Sequence, residues 1–345
     1  MRIRHVTAAV ALSVPLALSS VSAAAAAPSA PQWTPVMVDT TQGFRGLAAL
    51  DADTAWVSGS AGGVWRTGDG GRTWEDVSPA GAGDMAFRDI EVHDDHRASV
   101  LAIGEGEASR IYTTDDGGAT WRLGFVNDDP RAFYDCMDFF PGGRHGLAMS
   151  DPVDGKFRIL ATYDGGESWE VLPSDGMPDA VAGEFGFAAS GTCLVTAGAH
   201  DAWIASGGAA SRIFHSSDRG VSWSVTDAPV PAGETAGVNA LAFRGPRHGV
   251  AVGGDFAAPQ GGVASGVSRD GRTWRAGGAT TGYRSGVDWL GSTLIAVGIT
   301  GSDLSTDHGR TWTSFGTARY DAVVCTDDNA CWASGPNGTV ARLHR

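Results

Sequence analysis

The stretch TGDGGRTW at residues 67–74 decides the fold, because its pattern, Ser/Thr-x-Asp-x-Gly-x-Thr/Ser-Trp, returns five more times along the chain. The further copies occupy residues 114–121, 162–169, 216–223, 268–274 and 305–312, the fifth of the six being one residue short. Successive tryptophans are separated by 47, 48, 54, 51 and 38 residues. This spacing is typical of an array with one four-stranded β unit per copy.

Each copy is interpreted as a tight hairpin turn. An aspartate can accept hydrogen bonds from the turn amides, a glycine adopts positive φ at little cost, and the tryptophan begins the next strand as an apolar anchor. We therefore expect a structural role for the six aspartates, which are Asp69, Asp116, Asp164, Asp218, Asp270 and Asp307.

Counting the repeats predicts an all-β, seven-bladed β-propeller. A strand that ends in small residues precedes each turn, at 54–59, 99–104, 146–150, 194–198, 249–253 and 294–298. A seventh copy at 331–335 is followed by an apolar run at 338–343 but by no turn motif, and residues 32–36 resemble the strand after each motif. The N-terminal strand would then complete the last blade, which closes the ring and removes its free edges.

Composition and charge agree with one packed β domain over residues 28–345. The chain has 50 glycines, 42% apolar residues and 19% charged ones, and its net charge of −14 disfavours non-specific binding to nucleic acid. Residues 1–27 have the basic start, apolar run and small-residue end of a signal peptide. With no second hydrophobic stretch, we expect a secreted, soluble monomer without a membrane span.

Four cysteines in an exported chain allow three pairings. Cys325 and Cys331 flank a turn between two apolar runs, which favours a disulfide between neighbouring strands. Cys136 and Cys193 fall at different depths of the predicted repeat. For them we favour two buried thiols over a bridge, leaving the pairing open.

The repeated motif resembles the Asp-box, or bacterial neuraminidase repeat, and the copies cover nearly all of the predicted domain. Residues 146–155, 187–192 and 249–255 make the chain most similar to photosystem II assembly-factor-like propellers and their exported bacterial relatives. That resemblance implies that the motifs lie opposite the ligand site, and that an arginine-rich patch binds another protein. A weaker similarity to sialidases lacks their Phe/Tyr-Arg-Ile-Pro signature.

On the face opposite the motifs, the start of each first strand is expected to contribute one residue to a central funnel. The predicted ring is Arg45, Arg88, Tyr134, Phe185, Val238, Arg284 and Tyr320. Its three arginines predict a site for an anionic small molecule, an acidic glycan or a protein or peptide, because guanidinium groups bind carboxylate and phosphate. Alternatively, each arginine pairs with a local acid such as Asp89, Asp135 or Asp321.

Loops of the same face add the residue types that acid–base chemistry uses. The candidate catalytic residues are Asp151, Glu184, His200, Asp255 and Tyr320, and Trp203 is a candidate for stacking on a ring. No motif for a metal, nicotinamide or flavin is present, so no cofactor is predicted. We expect ligand binding without chemistry; the alternative is a glycoside hydrolase or polysaccharide lyase acting on an acidic sugar.

Overall fold

The computed structural model describes residues 30–344, together with residues 1, 8 and 9. Apart from those three positions, the signal peptide predicted for residues 1–27 lies outside the described residues. Residues 30–344 form seven antiparallel sheets arranged as a seven-bladed β-propeller, as predicted. The sheets contain four strands each, except for one that is extended to six.

In blades 1 to 6 the first of the four strands given below lies nearest the axis, and the other three follow outward in chain order. Blades 1 to 3 consist of Phe44–Ala49, Ala55–Gly59, Val64–Thr67 and Glu75–Asp76; Ala86–Val92, Ala98–Ile103, Arg110–Thr114 and Arg122–Val126; and Tyr134–Phe139, Gly146–Val153, Lys156–Thr162 and Glu170–Val171. Blades 4 to 6 consist of Leu194–Ala197, Asp201–Ala205, Arg212–Ser216 and Ser224–Asp227; Gly233–Arg244, His248–Asp255, Ala264–Ser268 and Arg275–Ala279; and Gly286–Leu290, Thr293–Gly298, Gly301–Ser305 and Thr313–Gly316.

Blade 7 joins the two ends of the described chain. Its strands are Ala322–Cys325, Cys331–Ser334, Thr339–His344 and, outermost, Gln32–Met37. Gln32 pairs with His344 and Met37 with Thr339, so the N-terminal strand is antiparallel to the last one over its whole length. The first strands of neighbouring blades contact one another all the way round, which closes the ring.

The core consists of seven apolar layers, one between each pair of neighbouring blades. Between blades 1 and 2, for example, fully buried Trp56 packs with Phe87 and Val100. Burying a side chain of this kind contributes about 1.5–3 kcal/mol. Each blade is thus stabilised by both neighbours.

Buried carboxylates also connect first strands across blade boundaries. In each case a backbone amide of the next blade donates to an aspartate at 2.5–2.7 Å: Met137 to Asp89, Thr196 to Asp138 and Cys325 to Asp288.

The six motifs form the hairpin turns between third and fourth strands. In the first, Asp69 accepts hydrogen bonds from the hydroxyls of Thr67 and Thr73 at 2.9 and 2.7 Å and from the amides of Arg72 and Thr73 at 2.9 Å. The bonds from Thr73 lower the pKa of Asp69 to about 2. The same arrangement recurs at the other five aspartates.

Blade 4 differs from the predicted arrangement. The predicted strand at 194–198 was placed in one series with 54–59, 99–104, 146–150, 249–253 and 294–298, which are second strands in the structure, but Leu194–Ala197 is the first strand of its blade and Asp201–Ala205 the second. The preceding segment instead supplies Glu184–Phe185, which pairs with Gly207–Gly208 and thereby extends the sheet of blade 5 to six strands. Two 3-10 turns, Gly106–Ala108 and Ser174–Gly176, complete the described elements.

The changed strand positions in blade 4 explain how the cysteines pair. The preference for two buried thiols was wrong: Cys136 lies on the first strand of blade 3 and Cys193 directly precedes the first strand of blade 4, so they meet at one depth and form a disulfide with Cα atoms 5.9 Å apart. Cys325 and Cys331 form a second disulfide across paired positions of blade 7.

Neither of the two helical turns within the described residues is long and apolar enough to cross a membrane.

Candidate functional site: an arginine-lined funnel

A β-bulge at the start of the first strand sets which residue of a blade faces the funnel. In blades 1 and 2 the bulged residues are Arg45 and Arg88, each inserted between two paired neighbours. The corresponding residues of blades 3, 5, 6 and 7 are Asp135, Asn239, Ser285 and Asp321. A bulge redirects one side chain without shifting the rest of the strand, so the barrel of first strands stays packed below.

Five of these six residues, all except Asp135, line a cavity of ≈ 410 Å³. Arg45, Arg88, Asn239, Ser285 and Asp321 all line it. The residues that complete the lining are Phe187, Ala188, Ala189, Phe256, Tyr283, Ile299 and Arg319. A volume of this order suits a small ligand or one end of a larger one.

One side of the cavity is cationic. We call Arg45, Arg88 and Arg319, which come from blades 1, 2 and the approach to blade 7, the cationic wall. Arg319 lies 3.9 Å from the carboxylate of Asp321, and the remaining two arginines form no ion pair within the part of the chain that the structure describes. Three arginines and one carboxylate leave two formal positive charges in the funnel of an otherwise acidic protein.

Burial and neighbouring charges shift the pKa values of Arg88 and Asp321 in the funnel. Burial, followed by the nearby charge of Arg45, lowers the pKa of Arg88 to about 10, and its Nε atom is buried without a partner among the described residues. Burial also raises the pKa of Asp321, although Arg45, Arg319 and Arg88 partly offset that effect. An anion entering the funnel would therefore meet guanidinium groups that are under-coordinated.

The predicted ring is one residue out of register in several blades. Tyr134, Val238 and Tyr320 precede their bulges and are at most 1% exposed, so they pack inside the ring instead of lining the cavity. Tyr320 lies against Trp33, with ring centroids 5.3 Å apart. Phe185 belongs to the short extra strand and is also absent from the lining of the cavity within the described residues.

Arg284 was predicted to line the funnel, and this placement is wrong. It is 0% exposed and directs its donors to Asp303, to the hydroxyls of Thr281 and Thr300, and to the carbonyl of Tyr283. The position that would face the cavity in this blade is Ser285. Arg284 is thus a structural residue.

Blade 4's different arrangement removes two candidates from the funnel. His200 lies in the turn between the first and second strands, on the motif face, where its carbonyl accepts the amide of Arg219 at 3.0 Å. Trp203 is 0% exposed in the second strand, stacked on Phe243 with centroids 3.7 Å apart, and donates to the carbonyl of Gly271. An exposed stacking role for Trp203 is therefore wrong.

The carboxylates predicted as acid and base do not converge. Glu184 is 3% exposed and is held by Arg212 and Ser206. Asp255 fixes the loop after its strand by accepting from Thr235 at 2.6 Å and from the amide of Ala257 at 2.8 Å. Neither residue lines the funnel cavity in the described structure.

Asp151 lies beside Asp135, one of the acids that the alternative interpretation paired with an arginine. The Asp151 carboxylate accepts the amide of Gly186 at 2.7 Å and lies beside the carboxyl of Asp135. Burial raises the pKa of Asp151 to about 6, and burial followed by the charge of Asp151 raises the pKa of Asp135 well above its ordinary value. The two carboxyls therefore affect each other's titration and do not ionise independently.

Of the twelve described residues that line the cavity, the predicted ring contains only Arg45 and Arg88. Asp321 and Asn239 could have been found from the position that Arg45 and Arg88 occupy, one residue after a buried aromatic or aliphatic residue. Arg319 lies two residues before Asp321 and does not follow this rule. Phe187 and Phe256 carry no comparable signal, because they come from an irregular segment and a loop.

Comparisons with known proteins agree on the fold. No protein-family model matches the sequence, and no curated protein does. A solved structure described as YCF48 bound to D1 peptide superposes with a TM-score of 0.66 at 15% identity, over 91% of this chain and 97% of that one. YCF48 from Cyanidioschyzon merolae gives 0.63 at 17% identity, over 92% and 99%.

Two enzymes share the architecture. The GH74 xyloglucanase from Xanthomonas campestris has a TM-score of 0.61 at 17% identity, and the match covers 90% of this chain but 53% of that one. An inactive virginiamycin B lyase from Staphylococcus aureus, solved with quinupristin, has a TM-score of 0.59 at 11% identity over 91% and 100%. At these identities the likeness establishes the propeller fold and leaves function to the site.

Proposed function

We propose that this chain is an exported propeller that binds an anionic group of a peptide or protein partner in its central funnel, without catalysing a reaction. The observation that carries the proposal is the pair Arg45 and Arg88, which line a ≈ 410 Å³ cavity beside Arg319 and engage no carboxylate within the described residues. Bidentate pairing with a carboxylate would satisfy both guanidinium groups.

A peptide ligand is supported by the solved structure of YCF48, which has the same fold and is bound to a peptide. Phe256 and Arg319 line the cavity and are also exposed to solvent, so a ligand chain can extend out of the cavity past them. Export is supported by the two disulfides, since such bonds persist in oxidising compartments outside the cytoplasm. Cleavage after residue 27 would be checked by measuring the mass of the protein recovered from the producing cells.

Binding is favoured over chemistry by the lining of the cavity. Among its described lining residues, Asp321 is the single carboxylate, whereas glycoside hydrolysis by the usual route needs two. The neighbouring acids Asp135 and Asp151 are not among the described residues that line the cavity.

The test is a thermal-shift screen of the mature protein against carboxylate-ended peptides, acidic monosaccharides and uronate oligosaccharides. We expect the peptides to raise Tm in the wild type but not in the Arg45→Ala/Arg88→Ala variant. Arg275→Ala is the matched control, because Arg275 is exposed on an outer strand. A stabilisation that survives in the double variant would refute the proposal, and conversion of any ligand, detected by mass spectrometry, would establish an enzyme.

A further inference from the structure

The funnel has a second wall whose chemistry differs from that of the cationic wall. Phe187, Phe256 and Tyr283 line the same cavity from the side of blades 4 to 6, opposite blades 7, 1 and 2. Their rings meet edge to face, with centroids 6.0 Å apart for Phe187 and Phe256 and 6.5 Å apart for Phe256 and Tyr283. We call these three residues the aromatic wall.

Phe256 is exposed but held in place. It is 44% exposed, and it follows the strand that ends at Asp255. Its amide donates to the carbonyl of Thr235 at 3.1 Å, while the Asp255 carboxylate accepts the hydroxyl of the same threonine at 2.6 Å. A large apolar ring fixed at the mouth of a concave site is a typical anchor for a ligand's apolar group.

Asn239 adds a polar feature to the cavity. It lines the cavity at the bulge of blade 5 and is 1% exposed, yet neither Oδ1 nor Nδ2 has a hydrogen-bond partner in the described structure. Leaving both atoms of a buried amide unpaired is unfavourable, so a bound group that offers one donor and one acceptor gains by pairing with it. A secondary amide, –CO–NH–, is such a group.

The cationic wall, the aromatic wall and Asn239 together fit one kind of ligand. We infer that the funnel recognises an N-acylated amino acid with an apolar side chain and a free carboxylate, either as a small molecule or as the last residue of a peptide. The carboxylate pairs with Arg45 and Arg88, the side chain packs on the aromatic wall, and the acylamino group pairs with Asn239. This inference rests on the proposed function and specifies its ligand.

The test is calorimetry with probes that each lack one feature. We expect N-acetyl-L-phenylalanine to bind about tenfold more tightly than 3-phenylpropanoate, which lacks the acylamino group, and than N-acetylglycine, which lacks the ring. In Asn239→Leu, the preference for the acylamino group should vanish. In Phe256→Ala the preference for the ring should vanish, whereas Val221→Ala, at a 61% exposed motif residue, should retain it.

The outcomes separate the two proposals. Equal affinity of the wild type for N-acetyl-L-phenylalanine and 3-phenylpropanoate, or an undiminished preference in Asn239→Leu, overturns the inference and leaves the anion site standing. Absence of binding by all carboxylates overturns the proposed function as well. Where the inference holds, tighter binding of Ala-Ala-Phe than of N-acetyl-L-phenylalanine identifies a peptide end as the source, and equal binding identifies a free N-acyl amino acid.

Discussion

Replacing Arg284 by alanine tests whether the arginines of this protein divide into structural and binding residues. The variant leaves Asp303, which is 0% exposed, as a buried carboxylate without its guanidinium partner at 3.0 Å. Breaking a buried ion pair from one side costs about 3–5 kcal/mol. For a domain of this size, that corresponds to a decrease in Tm of about 6 °C.

The assay is reversible chemical denaturation followed by tryptophan fluorescence, with Arg45→Ala as the control. Arg45 forms no ion pair among the described residues and lies beside another arginine, so its removal should change stability by less than about 0.5 kcal/mol. Replacing both partners, as Arg284→Met with Asp303→Leu, should restore much of the loss. If Arg284→Ala were neutral for stability but abolished ligand binding, the assignment of the funnel residues would be refuted.

Three further predictions concern the turns, the disulfides and pH. Asp218→Ala removes an acceptor of the Ser222 amide at 2.9 Å and of two hydroxyls, and should cost about 2 kcal/mol by denaturation; no loss would contradict a capping role. Removing the Cys136–Cys193 disulfide, which closes a span of 57 residues, should lower the free energy of unfolding by about 4 kcal/mol. Removing the Cys325–Cys331 disulfide, which closes a span of six, should lower it by about 2 kcal/mol. A larger loss for the shorter span would contradict an entropic origin of the stabilisation. Burial raises the pKa of Asp138 to about 7 in the folded state, so the folded chain binds this proton more tightly than the unfolded chain does. Protonation therefore stabilises the folded state, and Tm should rise as the pH falls from about 8 to about 5. A fall in Tm over that range would contradict the burial of Asp138.

The architecture was predictable because the turn motif is local. Asp69 and its equivalents bond within a few residues of themselves, so the chemistry of each turn is visible in the sequence, and the period gives the number of blades. The closure of blade 7 was predictable for a related reason: residues 32–36 and 338–343 have complementary patterns that fit one sheet.

The site was less predictable because it depends on single-residue register. A bulge places Asp135, instead of Tyr134, toward the axis, and sequence spacing does not distinguish a strand with a bulge from one that begins a residue later. The prediction of the strand positions in blade 4 was wrong for another reason. Residues 194–198 and 201–205 are both short apolar runs, and only packing decides that the former lies on the axis.

In the proposed function, Arg45 and Arg88 bind a carboxylate in the funnel. The most direct test of this binding is calorimetry of N-acetyl-L-phenylalanine and its methyl ester against the wild type and the Arg45→Ala/Arg88→Ala variant. We expect the ester to bind the wild type at least about tenfold more weakly, because it lacks the charge that pairs with the arginines, and we expect no such difference in the double variant. Equal binding of acid and ester by the wild type, or an unchanged difference in the variant, would contradict the proposed function.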